Sequence, residues 1–470
     1  MGDFGRFAAG FAMGCTIFFI LTAYFVLPAG RAAVRSWLRR KPFLMEAVNI
    51  MQRLTWQVFF ETGLRAETGK SLERPFGTAR HPFDWSKIQL NPVYLSRKPL
   101  HSTEPVDTGT VIGPQAKKPL HISIPIMIAG MSYGGALSRK AKTALAKASA
   151  LAGTAENSGN GPFIPEERAK AKKYILQYSK GFWSKSADIL RQADMIEITL
   201  GHGAWGPAPV RIKGEKVTRE FAAFLPAVPG LEVLIESRLP EVESMQDWKI
   251  LIRKLRDATG GVPIAVKIGC THGMESELDC FMESGVDAVV IDGLEGGTHS
   301  CPGILADDAG LCTMPGLLRA ARHLRKNGHA GKISLIAGGG LSTPGQFLKC
   351  LAMGADAVII GTVAILAATH TRLAKAVPWE PPTELVFHAA RKAGEFNPDM
   401  GAQSLYHFLM SCIMEMTDAA RSLGKSSLKE INRDDLVALD PLYAKMAESR
   451  YCLDGDLPSR LFTQERIDNS

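Results

Sequence analysis

From residue 121 onward, short apolar runs alternate with helical stretches, and this rhythm restricts the fold more than any other feature. The runs fall at 124–128, 153–156, 174–177, 195–200, 263–268, 288–292, 333–337 and 357–361. Each has the length of a strand and is bounded by glycine, proline or polar residues. The segments between them carry helical signals. Residues 138–151 place Ala141, Leu145 and Ala148 on one face, and 344–353 opens on Pro344 and stops before Gly354. Eight strands, each followed by a helix, predict a (β/α)8 TIM barrel of the α/β class. An open doubly wound sheet would want a G-x-G-x-x-G turn after its first strand, and none follows here. In such a barrel the chemistry gathers at the C-terminal ends of the strands.

Residues 7–27 contain no charged side chain. As a helix they would span roughly 30 Å, the thickness of a bilayer core. Arg31, Arg35, Arg39, Arg40 and Lys41 follow, supplying five charges toward a net of +8. A cleaved signal peptide would have a shorter apolar run, about 7–15 residues, with its basic residues ahead of it. The expectation is therefore a single-pass N-terminal anchor, with the barrel on the cytoplasmic side. With that cluster set aside the chain is close to neutral, which argues against a nucleic-acid partner. Residues 42–64 read as an amphipathic helix, placed either on a membrane surface or on the barrel. The expected organisation is an anchor at 1–30, a basic flank and irregular lead-in at 31–120, the barrel at 121–440 and a tail at 441–470.

Eight cysteines are scattered with no C-x-x-C pair, so free thiols in a reducing compartment are expected.

Two glycine clusters stand at the ends of the last two runs, Gly338-Gly339-Gly340 and Gly361-Thr362. Barrels commonly hold a ligand phosphate between these loops, where glycine lets backbone N–H groups approach it. Lys267 sits near the end of the fifth run, where an ammonium needs an anionic partner. Glu197 on the fourth run would make a buried ion pair with it, and the N1 edge of a flavin would make a functional one.

Strand-end motifs carry a resemblance. Gly130-Met131-Ser132-Tyr133-Gly134, Glu156-Asn157-Ser158-Gly159-Asn160-Gly161, Met195-Ile196-Glu197-Ile198, Val266-Lys267-Ile268, Ile291-Asp292-Gly293 with Gly296-Gly297-Thr298, and Ala337-Gly338-Gly339-Gly340-Leu341 occur in this order. Together they resemble the flavin domain of the glutamate synthase family. The resemblance implies bound FMN, with Met131 and Ser132 against its ring and Lys267 near its N1 edge. It also implies Gly297, Gly338, Gly339, Gly340, Gly361 and Thr362 as cofactor-binding residues.

The chain departs from that family in two places. No cysteine lies between Cys350 and Cys412, so the family's iron–sulfur cluster is not expected, and no metal site is. Around the expected 2-oxoglutarate site, His202, Trp205 and Leu225 replace a glutamine, a lysine and an arginine. Either the substrate differs, or Arg211 and Arg238 supply the missing charges.

The resulting expectation is an FMN-dependent oxidoreductase that moves a hydride between flavin and a C–N or related small substrate. Lys267 would steady the flavin, His202 or His299 would move the proton, and the electron donor is left open. His272 and Cys301, also at strand ends, have no assigned role. An ammonia-dependent glutamate synthase, a non-catalytic flavin-binding membrane scaffold or sensor, and a flavin acting on an isoprenoid or quinone are the alternatives.

Overall fold

The computed structural model describes residues 32, 35, 36, 42–95, 97–376 and 382–454. It divides into two compact units, Met1–Leu72 and Glu73–Ser470.

In the first unit the expected single helix over 42–64 is two helices, Pro42–Arg53 and Trp56–Thr68. The break has a local cause. The Thr55 hydroxyl accepts a hydrogen bond from Val58 N, starting the second helix, and Gly69 in the left-handed conformation ends it. At 12 and 13 residues, these helices span only about 18–20 Å. Among the described residues no helix is long and apolar enough to cross a membrane. That finding overturns the expected single-pass, cytoplasm-facing placement. The 7–27 segment on which the expectation rested lies outside the described residues.

The second unit is built on an eight-stranded parallel sheet: β1 (Ile126–Ile128), β2 (Ala155–Asn157), β3 (Lys173–Tyr178), β4 (Met195–Thr199), β5 (Ile264–Gly269), β6 (Ala288–Asp292), β7 (Ser334–Gly338) and β8 (Ala357–Ile360). Every expected run overlaps one of them, and four strands extend a residue beyond their runs. The spatial order β1-β8-β7-β6-β5-β4-β3-β2 is sequential, so the sheet curls into a nearly closed barrel. β1 and β2 share no ladder. The Thr154 hydroxyl, just ahead of β2, donates to the Ile126 carbonyl at 2.6 Å across that seam. The second strand starts later than expected because Gly153, at φ 69°, caps the preceding helix.

Helices α1 (Arg139–Ala152), α2 (Pro165–Lys170), α3 (Ala187–Leu190), α4 (Met245–Thr259), α5 (Met274–Ser284), α6 (Thr313–Lys326), α7 (Pro344–Ala352) and α8 (Thr362–Ala376) follow the strands in turn. Their starts are locally encoded. Ser244 with Asp247 forms a capping box on α4, and Thr343 with Gln346 forms one on α7. A long helix, α9 (Pro398–Ser422), packs against α1 and α8.

A hairpin, Thr110–Ile112 with Leu120–Ile122, closes the bottom of the barrel. Its Ile112, Leu120 and Ile122 join Ile175, Met195, Ala265, Ala288 and Ile336 in the inner core. The opposite end is the mouth. Residues 200–244, between β4 and α4, wall it with a second hairpin, Val210–Ile212 with Val233–Ile235.

Candidate active site

Alternation along the strands builds the site in layers. Ile175, Met195, Ala265 and Val290 make the apolar layer, and the next inward positions, Gln177, Glu197, Lys267 and Asp292, are polar. Burial makes each polar group need a partner. Glu197 Oε1 accepts from Asn157 Nδ2 at 3.0 Å and from Gln177 Nε2 at 2.6 Å. Lys267 Nζ pairs with Asp292 Oδ2 at 3.2 Å. The expected direct partner, Glu197, is therefore taken by two amides, and its charge acts on Lys267 from farther away. Burial pulls the Lys267 pKa down, but Asp292 and Glu197 outweigh it and hold the ammonium above its ordinary value. Lys267 stays charged.

Above this layer lies a cavity of about 330 Å³. That is within the range of small-molecule sites, about 300–1,000 Å³. Of the sequence-derived candidates, Met131, Ser132, His202, Lys267, Gly297, His299, Gly339, Gly340, Gly361 and Thr362 all line it. Gly338 does not: it ends β7, and its carbonyl accepts from Gly293 N at 3.0 Å.

The glycines form a cradle at positions where a side chain would strike the surrounding wall. At Gly339, φ is 113° and a Cβ would stand 2.6 Å from Gly293 N. At Gly297, a Cβ would stand 2.4 Å from the Thr362 hydroxyl. Thr362 begins α8, and the first turn of a helix leaves N–H groups free for an anion. In the same cavity Asn160 Oδ1 and His202 Nδ1 are buried without a hydrogen-bond partner. Unmet polar atoms beside a glycine cradle suit a ligand that carries both a phosphate and a heteroaromatic ring, as FMN does.

Both histidine candidates are neutral at ordinary pH. Burial, helped by Lys267, pushes His202 down to about 4. Burial, helped by Lys216, pushes His299 down to about 3. His299 stacks on Trp205, with ring centroids 5.9 Å apart.

The remaining candidates fall elsewhere. His272 is exposed on the β5–α5 loop. Cys301 is buried, its thiol pushed up to about 11 by burial, and it donates to Arg74 O at 3.7 Å rather than facing the cavity. Arg211 and Arg238 are exposed and paired with Glu232 and Glu243, so neither replaces the missing charges. Leu225 is buried in a side cluster with Tyr133 and Phe221. Gln177, Thr199 and Ile359 line the cavity and were not singled out from the sequence. Strand alternation alone would have pointed Gln177 inward, two residues after Ile175.

Comparison with known proteins agrees with this architecture. The model for the conserved region in glutamate synthase matches residues 87–377. A glutamate synthase large subunit-like protein of Rhizobium meliloti is 31% identical over 404 residues, covering 82% of this chain and 90% of that one. The chain belongs to the glutamate synthase family. An archaeal-type NADPH glutamate synthase of Dehalococcoides mccartyi is 27% identical, over 79% of this chain and 78% of its own. A lactate oxidase of Pediococcus acidilactici superposes with a TM-score of 0.50 at 15% identity, over 76% of this chain and 84% of that one. That likeness concerns the barrel alone.

Proposed function

We propose that this member of the glutamate synthase family is an FMN-dependent oxidoreductase moving a hydride between flavin and the carbon of a C–N bond in a small substrate. The observation that carries the reading is Lys267, buried, charged and paired with Asp292 beneath a mouth lined by glycine. FMN supplies the hydride acceptor and donor. Lys267 contributes a fixed positive charge where electrons arrive, at no reorganisation cost because Asp292, Val290 and Thr199 already hold its position. Gly339, Gly340, Gly361 and Thr362 bind the phosphate, and Met131 and Ser132 support the ring.

In the oxidative direction an amine loses a hydride from carbon and a proton from nitrogen, leaving an imine. His202 is placed to take that proton at a ring nitrogen, because it is neutral and its Nδ1 has no protein partner. His299 is the second candidate and is tied to Trp205 by stacking. Trp205, Val210, Ile212 and Ile235 of the 200–244 segment give the reacting atoms an apolar wall.

The purified protein should be yellow, and mass spectrometry of the released ligand should give FMN. A protein that neither carries nor takes up FMN sinks the reading. A flavin-loaded protein that no amine or imine reduces or reoxidises leaves a non-catalytic flavin-binding role.

A further inference from the structure

The wall facing the cofactor region is short of usable charge. Lys267 is committed to Asp292, and Glu295 is committed to the Thr313 N–H and hydroxyl. His202 and His299 are uncharged. The rest of this side is Trp205, Val210, Ile212 and Ile235, a continuous apolar and aromatic surface.

One cation among the described residues stands just behind this surface, touching lining residues without itself lining the cavity. Lys216 lies at the end of the short Gly214–Lys216 turn and is half-buried. Its Nζ donates to Gly135 O at 3.2 Å and sits 6.0 Å from the Phe387 ring centre, and its charge acts on His299. Gly135, Phe387 and His299 all line the cavity. Among the described residues Lys216 makes no ion pair within 4 Å: Glu73, paired with Lys213 at 3.0 Å, and Glu215 act on its charge only from farther away. An ammonium with two spare donors, next to a pocket whose other charges are already partnered, fits one carboxylate and not two. Lys180, the other ammonium near the histidines, turns toward Pro207 O, 3.5 Å away, a residue that does not line the cavity.

We propose that Lys216 anchors the single carboxylate of an amino-acid or imino-acid substrate whose uncharged side chain packs on Trp205, His299, Val210 and Ile212. The inference rests on the oxidoreductase reading and narrows its substrate to monocarboxylates. Apolar area gives affinity for the side chain, and the one charge fixes which end faces the reacting bond.

The test is calorimetric titration of the FMN-loaded protein with phenylpyruvate and with 2-oxoglutarate, in parallel with flavin absorbance. Phenylpyruvate should bind more tightly than 2-oxoglutarate. Loss of one charge-assisted contact in Lys216→Met should raise its Kd at least about tenfold. Lys216→Arg should recover most of that loss, and Lys180→Met should change it less than about twofold. Equal binding by wild type and a folded Lys216→Met overturns the assignment, as does tighter binding of 2-oxoglutarate or no binding of phenylpyruvate. If Lys216→Met fails to fold, an unchanged Kd in Lys216→Arg together with a tenfold loss in Trp205→Ala supports the site, and no loss in Trp205→Ala overturns it. Failure to load FMN sinks the oxidoreductase reading instead, so the two failures are separable.

Discussion

Lys267 and Asp292 meet at 3.2 Å inside the barrel although they lie on different strands and are not opposite each other in the register. Lys267 is level with Val290, and Asp292 stands two residues higher on the same inward face. The ammonium therefore reaches upward to its carboxylate, which brings its charge to the mouth. Removing it should be costly. Lys267→Met leaves Asp292 buried and unpaired, and breaking such a pair costs about 3–5 kcal/mol. The expected outcome is a lowered urea midpoint with little retained FMN. Asp292→Asn/Lys267→Met, which removes both charges, should recover part of the stability but not the flavin.

Gly339→Ala places a methyl 2.6 Å from Gly293 N at a φ of 113°. Strain of this kind costs about 1–3 kcal/mol. The cradle should shift, and FMN content per chain should fall sharply while the far-ultraviolet circular dichroism spectrum holds. Retention of full flavin content would place the phosphate elsewhere.

His202 and His299 are held neutral, at about 4 and about 3 against an ordinary 6.5. The unfolded chain then binds more protons than the folded one between those values. Stability from these groups is present above pH 6.5 and is lost as pH falls through about 4 and 3. Melting temperature should decline over that window, and His202→Asn/His299→Asn should flatten the decline. An unchanged slope would mean that neither ring is buried as described.

Outside the barrel wall, Lys142 Nζ pairs with Glu156 at 2.8 Å and Glu167 at 3.0 Å, all three buried. Two carboxylates share one ammonium, and burial pushes Glu167 up to about 8. Here the sign is opposite: the unfolded chain gives up the proton first, so stability is lost as pH rises from about 4.5 to 8. Glu167→Gln should remove that loss and leave the protein more stable at pH 8 than wild type, by thermal melting.

Leu225→Arg should not create a dicarboxylate site. Leu225 is 4% exposed among Tyr133, Phe221 and Ile235, so the guanidinium would be buried without a partner. The expected result is a melting temperature lower by several degrees and no change in the flavin spectrum on adding millimolar 2-oxoglutarate. The wild type should likewise show no spectral change, because two lost charge-assisted contacts are worth about 3–6 kcal/mol.

The eight strands, the two barrel helices given bounds and the glycines at the strand ends were legible in the residues, because periodicity, caps and glycine turns act over a few neighbours along the chain. Lys267 was legible too, as a charge in an apolar run. Its partner was not. Glu197 and Asp292 are both on strands adjacent to β5, and only the register and tilt of the sheet decide which carboxylate the ammonium reaches. The same holds for Arg211, Arg238 and Leu225, whose positions along the chain suggested the pocket and whose packing puts them outside it. Lys216 shows the converse. Nothing local distinguishes it from Lys213, three residues earlier. The fold gives Glu73 to one and leaves the other beside Gly135, Phe387 and His299, because ion pairing is settled by which distant segments the barrel brings together.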